Sequence, residues 1–171
     1  MGKISYVVRN TPRLSLQGAR LVMAAATRKA AAIRVPMDIA VVDDGGHLIV
    51  FNRMDGAKLS SIDIAISKAW TAACSRRPTH EYAEIAAPGR PAYGIHMSNE
   101  GRFTIVGGGL PIRVDNGVLG GIGCSGGTVQ QDREVAQAGI AALRSKMMPG
   151  RATRKTARKA AGKKPKRRRR T

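Results

Sequence analysis

The last 21 residues, Arg151 to Thr171, carry 12 Lys and Arg and no acid, and this run limits what the chain can fold. The stretch RATRKTARKAAGKKPKRRRRT has no apolar periodicity and only one sign of charge. Such a segment cannot bury enough surface to offset its ordering entropy, so it predicts a disordered tail. The fold must come from residues 1–150, enough for one domain and too few for two ordinary ones. Those residues hold 18 basic and 11 acidic groups, a net +7 against +19 for the whole chain. The extreme charge therefore belongs to the tail. Twelve cations in 21 residues predict nucleic-acid binding without sequence preference and with steep salt dependence. The tail has no aromatic residue to stack on bases.

Ahead of the tail, apolar spacing marks the elements. Leu16, Ala19, Val22, Met23, Ala26 and Ala30 predict a helix from Leu16 to Ile33, capped by Ser15. The runs Met37–Asp44 and His47–Arg53 predict a hairpin, with Gly45-Gly46 supplying positive φ at the turn. Ser60 and Asp63 have capping-box spacing before a second helix, whose apolar face is Ile62, Ala65, Ile66, Ala69 and Ala73. Thr79 is placed to cap a short third helix through Ala86. Pro88 to Gly101 reads as loop. Arg102–Val106 reads as a short strand, and Gly107-Gly108-Gly109 interrupts it before an extended segment restarts at Pro111. Asn116-Gly117 predicts a hairpin turn, Val118–Cys124 a glycine-rich strand, and Gln131–Met147 a closing helix. The order is α-β-β-α-α-β-β-β-α. Hairpins imply an antiparallel sheet, so the class is α+β, with flanking helices on a five-stranded sheet. With only 4% aromatics, the core is aliphatic and the Ala-rich helices pack closely on the sheet.

Cys74 and Cys124 show no metal-site or C-x-x-C spacing, which predicts two reduced, buried thiols. The N-terminus MGKISYVVRN has no apolar h-region, and no apolar run approaches a membrane span. A soluble, cytoplasmic protein is expected.

Two glycine-rich stretches stand out. GGGLPIR (107–113) either exposes backbone N–H groups to a close ligand or forms a bulge. GGIGCSGG (120–127) contains G-x-G-x-x-G but sits in a late strand, away from a first βαβ unit, so a dinucleotide reading is weak. Of His47, His80 and His96, the last lies in the loop before the glycine strand and is the candidate for an iron or substrate contact. His47, after the turn, reads as solvent-facing. Lys68, in SKAWTAA, is either a snorkelling residue or a cation directed into a pocket.

Taken together, AVVDDGGHLIVFNRMDGA (40–57), SKAWTAA (67–73), GGGLPI (107–112) and GGIGCSGG with the following helix (120–139) resemble the GlcG/HbpS-like proteins, the haem-degrading family that includes PduO C-terminal domains. The resemblance spans roughly residues 12 to 146. It implies a five-stranded antiparallel sheet, homo-oligomers from dimer to octamer, and in some members haem. Positions matching the family include Asp43, Arg53, Lys68, Thr71, Gly108, Gly109, Ser125 and Asp132. Cys124 stands where an aliphatic residue is expected.

The first functional expectation is an oligomeric binding protein. It would hold haem or another anionic small molecule at Gly107, Gly108, Gly109, Thr71 and Ser125, with Lys68 or His96 in contact and His96 the metal ligand if haem is bound. The alternative is a cofactor-independent lyase or isomerase acting on a small hydroxy acid or carbonyl compound. In it Lys68 or Arg53 holds a carboxylate, and Asp43 or His96 moves a proton.

Overall fold

A computed structural model describes residues 11–115 and 117–147. The expected domain boundary at residue 150 and the basic tail lie outside the described residues, as does Asn116. The elements run α1 (Leu16–Ala32), β1 (Asp38–Asp43), β2 (Leu48–Arg53), α2 (Ser61–Ser75), α3 (His80–Ile85), β3 (Gly109–Val114), β4 (Gly117–Ser125) and α4 (Val129–Met147). The strands form one antiparallel sheet in the order β2-β1-β4-β3.

The fold is α+β with helices flanking an antiparallel sheet, but the sheet has four strands, not five, and the order is α-β-β-α-α-β-β-α. The expected strand at Arg102–Val106 does not form. Phe103 instead packs edge-on to Trp70 and Tyr82, with ring centroids 6.5 and 4.8 Å away. The N–H of Thr104 donates to Thr71 Oγ1 at 3.0 Å. An amide satisfied by a side chain on α2 has no need of a neighbouring strand.

Strand alternation divides the core. Ile39 and Val41 face α1 and α4, while Ala40 and Val42 face Ala65, Ala69 and Ala73 of α2. The α2 side is thin because β4 presents Gly121 and Gly123 to the helix. A Cβ on Gly123 would lie 2.5 Å from Ala69 N and 2.9 Å from Lys68 Cβ. This close approach sets Lys68 directly beneath the end of β4.

Local signals were partly realised. Ser15 caps α1, accepting from the Gly18 N–H at 3.1 Å. Ser60 makes no side-chain cap, so the Ser60–Asp63 box is absent. Thr79 does not cap α3 either; its hydroxyl accepts the Gly109 N–H at 2.9 Å, across to β3. At the β1–β2 turn only Gly46 has positive φ (84°), giving a bulged turn in which Gly46 N–H donates to Asp43 and Asp43 N–H to His47. Cys74 is exposed and Cys124 buried, and both are free. Among the described residues no helix is long and apolar enough to cross a membrane.

Candidate functional site

Lys68 lies on the sheet-facing side of α2, with Ser61, Ala65, Ala69 and Ala72, and is 1% exposed. A buried ammonium must be paired and hydrogen-bonded. Its Nζ donates to Asp132 Oδ2 at 2.7 Å and to the Cys124 carbonyl at 2.9 Å. Asp132, in the first turn of α4, is 3% exposed, and its other oxygen accepts the Gly127 N–H at 3.1 Å. That turn is fixed by a capping box. Thr128 N–H donates to Gln131 Oε1 at 2.9 Å, and Gln131 N–H to Thr128 Oγ1 at 3.3 Å.

The glycine stretch closes over this pair. Gly108 has φ 121°, and a Cβ there would sit 2.9 Å from Lys68 Nζ and 2.8 Å from Asp132 Cβ. Only glycine combines that conformation with that contact. Burial, then the charge of Asp132, pushes the Cys124 thiol up, so this cysteine is packing and not a nucleophile.

Above the ion pair opens a cleft of about 320 Å³, lined by Ser61, Lys68, Thr104, Ser125, Gly126 and Asp132 among others. Ser61 and Ser125 are 4% and 5% exposed and stand on its wall. An ammonium has three N–H donors, and Lys68 uses two of them within the protein.

Of the residues singled out from the sequence, Lys68, Gly108, Gly109 and Ser125 gather here. Gly107 is next to them, against His80 and Val129. Thr71 is one turn along α2 and holds the Thr104 backbone. The other three lie elsewhere. Arg53 is exposed on edge strand β2, opposite Asp38. Asp38 is fully enclosed, its carboxylate has no hydrogen-bond partner among the described residues, and burial raises its pKa while Arg53 offsets part of the effect. Asp43 stands opposite Gly120, five residues along β4 from Ser125 and roughly 17 Å away. His96 sits in a 3-10 turn (Ile95–Met97), with Nδ1 enclosed and without a hydrogen-bond partner among the described residues.

Asp43 accepts the N–H groups of Gly45 and His47 at 2.9 and 2.8 Å, and His47 Nδ1 is 3.2 Å from both of its oxygens. Burial alone would raise this carboxyl, but these bonds and His47 outweigh it and hold the pKa below its ordinary value. The turn walls a second cleft of about 490 Å³ with Leu48, Ile66, Trp70 and Arg102. A third, of about 630 Å³, lies between β3 and α4 and includes Leu110, Ile140, Arg113 and Arg144. His96 lines none of the three. Among the described residues no three His, Cys, Asp or Glu side chains cluster to hold a metal ion.

Sequence reasoning gave Ser61 no part in a site and Lys68 no partner. Ser61 lies seven residues before Lys68, two helical turns along the same face, and that spacing could have found it. Asp132 is 64 residues from Lys68, and nothing local links them.

Residues 14–141 match the family model described as haem degrading protein HbpS-like. An uncharacterized 15.0 kDa protein from the dhaT–dhaS intergenic region of Citrobacter freundii is 42% identical over 127 residues, covering 74% of this chain and 89% of that protein. The crystal structure of Klebsiella pneumoniae ORFY aligns with TM-score 0.81 at 36% identity, over 84% of this chain and 99% of that one. A PduOC–haem complex aligns with TM-score 0.74 at 37% identity, over 77% and 95%.

Proposed function

The chain belongs to the HbpS-like family, and from that premise we propose that it binds a small anionic molecule in the cleft above Lys68. One observation carries this reading: Ser61, Ser125 and a buried ammonium that uses two of its three N–H donors within the protein line the same cleft. A donor on the cleft wall that the protein does not use is open to a ligand or to water. Asp132 already offsets the charge of Lys68, so the site favours one carboxylate or phosphate through directed hydrogen bonds. At about 320 Å³ the cleft is at the small end of ligand pockets, which suits a hydroxy acid.

Haem does not fit this cleft. The volume is too small for a porphyrin, Gly108 closes on Lys68, and no His, Cys, Met or Tyr lines it. The proposal extends to a homo-oligomer, for which the open sheet edges at β2 and β3 provide pairing surfaces.

The test is calorimetric titration with glycolate, lactate and inorganic phosphate. At least one should bind, and Ser61→Ala and Ser125→Ala should each weaken it by about tenfold, the value of one hydrogen bond to a charged group. Unchanged affinity in both variants rejects the cleft as the site.

A further inference from the structure

The groove between β3 and α4 is larger than the clefts at Lys68 and at the β1–β2 turn, and its lining is of a different kind. We propose that it binds a medium-chain monocarboxylate, with the alkyl chain along Leu110, Ile140 and Ala141 and the carboxylate held by Arg113 and Arg144.

β3 is the last strand on its side of the sheet, and α4 packs against it and β4. Strand alternation sends Leu110 into the core with Ile140 of α4 and turns Pro111 and Arg113 to the opposite face. The groove of about 630 Å³ follows that edge, with apolar wall from Leu110, Pro111, Ile140 and Ala141. Its volume lies well inside the range of small-molecule sites, about 300–1,000 Å³. From Leu110 to Arg113 the strand advances roughly 10 Å, which suits an extended chain of about eight to ten carbons. An apolar wall of this length gains affinity from methylenes, which a two-carbon acid does not have.

The charges select the head group. Arg113 and Arg144 line the groove, and no Asp or Glu does. Each of the other two clefts carries a carboxylate, Asp132 in one and Asp63 with Glu100 in the other. Neither arginine forms an ion pair among the described residues. Arg113 is also held in place, its guanidinium donating to the carbonyl of Arg76 at the C-terminal end of α2. That bond takes one of five N–H donors and leaves the others already positioned for a ligand. A guanidinium meets a carboxylate as a two-pronged fork. Both arginines are exposed, so the head group stays at the water boundary while the chain lies in the groove.

The groove shares no residue with the Lys68 cleft, so this site and the small-acid site fail independently. Full-length protein is titrated calorimetrically with hexanoate, octanoate and decanoate, and with 1-octanol as the uncharged control. Decanoate should bind, and each two-carbon step should tighten binding by about tenfold, the worth of two buried methylenes. Arg113→Gln and Arg144→Gln should each weaken octanoate by about tenfold and leave 1-octanol unmoved. Ala141→Glu, which sets a carboxylate in the groove, should weaken octanoate at least as much. Ser125→Ala should keep wild-type octanoate affinity. The site is overturned by a wild type that does not bind decanoate, by affinity independent of chain length, by wild-type affinity in both arginine variants, or by loss of octanoate binding in Ser125→Ala. Light scattering on the same variants tests the other occupant. If Arg144→Gln changes the mass of the assembly while octanoate affinity holds, a second copy of the chain covers the groove and the proposal falls.

Discussion

Replacing Lys68 with Met removes one half of a buried ion pair and little volume. Both partners are almost wholly enclosed, with Nζ 2.7 Å from Asp132 Oδ2. The variant leaves the Asp132 carboxylate with only the Gly127 N–H and leaves the Cys124 carbonyl without the ammonium. Breaking a buried pair from one side costs about 3–5 kcal/mol, mostly the stranded charge. With a urea slope of about 2.5 kcal/mol/M, the unfolding midpoint should fall by about 1–2 M. The double variant Lys68→Met with Asp132→Leu strands no charge. It should return to within about 2 kcal/mol of wild type, the remainder being the Cys124 carbonyl and Gly127 N–H left without partners. Urea unfolding of all four proteins at one protein concentration closes the cycle. A Lys68→Met loss below about 1 kcal/mol refutes the buried pair, as does a double variant whose loss equals the sum of the singles.

Gly123→Ala drives a methyl into the backbone of α2 at Ala65 and Ala69. It should cost at least about 1–3 kcal/mol by thermal unfolding, whereas Gly89→Ala, with open space around it, should cost less despite its positive φ. Burial, then Arg133, lowers the His80 pKa from 6.5. The unfolded chain therefore takes up the proton first, and this contribution is complete above about pH 6.5 and lost as pH falls below it. The urea midpoint should drop between pH 7.5 and 5.5, and His80→Gln should flatten that drop; an identical slope in the variant removes His80 as its source. Deleting residues 151–171 removes 12 cations and should abolish DNA retention at low salt; persistent binding would assign it to the domain instead.

The elements written in local spacing were legible. Apolar residues in α1, α2 and α4 recur at helical intervals, and Gly45-Gly46 announces the first turn. What failed was settled by distant partners. Thr104 has a strand-like neighbourhood, but the Thr71 hydroxyl takes its amide. Thr79 stands at a cap position, yet Gly109, 30 residues on, offers its hydroxyl a buried partner. Lys68 was noticed for its apolar company, and its role followed only when Asp132 appeared beside it.

The glycines of β4 connect this packing to what the protein can hold. Their lack of side chains lets α2 approach the sheet until Lys68 reaches Asp132 and the Cys124 carbonyl. The same approach narrows the space above the pair to a volume suited to a small acid. Ligand size is thus set by helix–sheet separation. A tolerated side chain at Gly123 would push α2 off the sheet and widen the buried cleft, so small-acid affinity should fall.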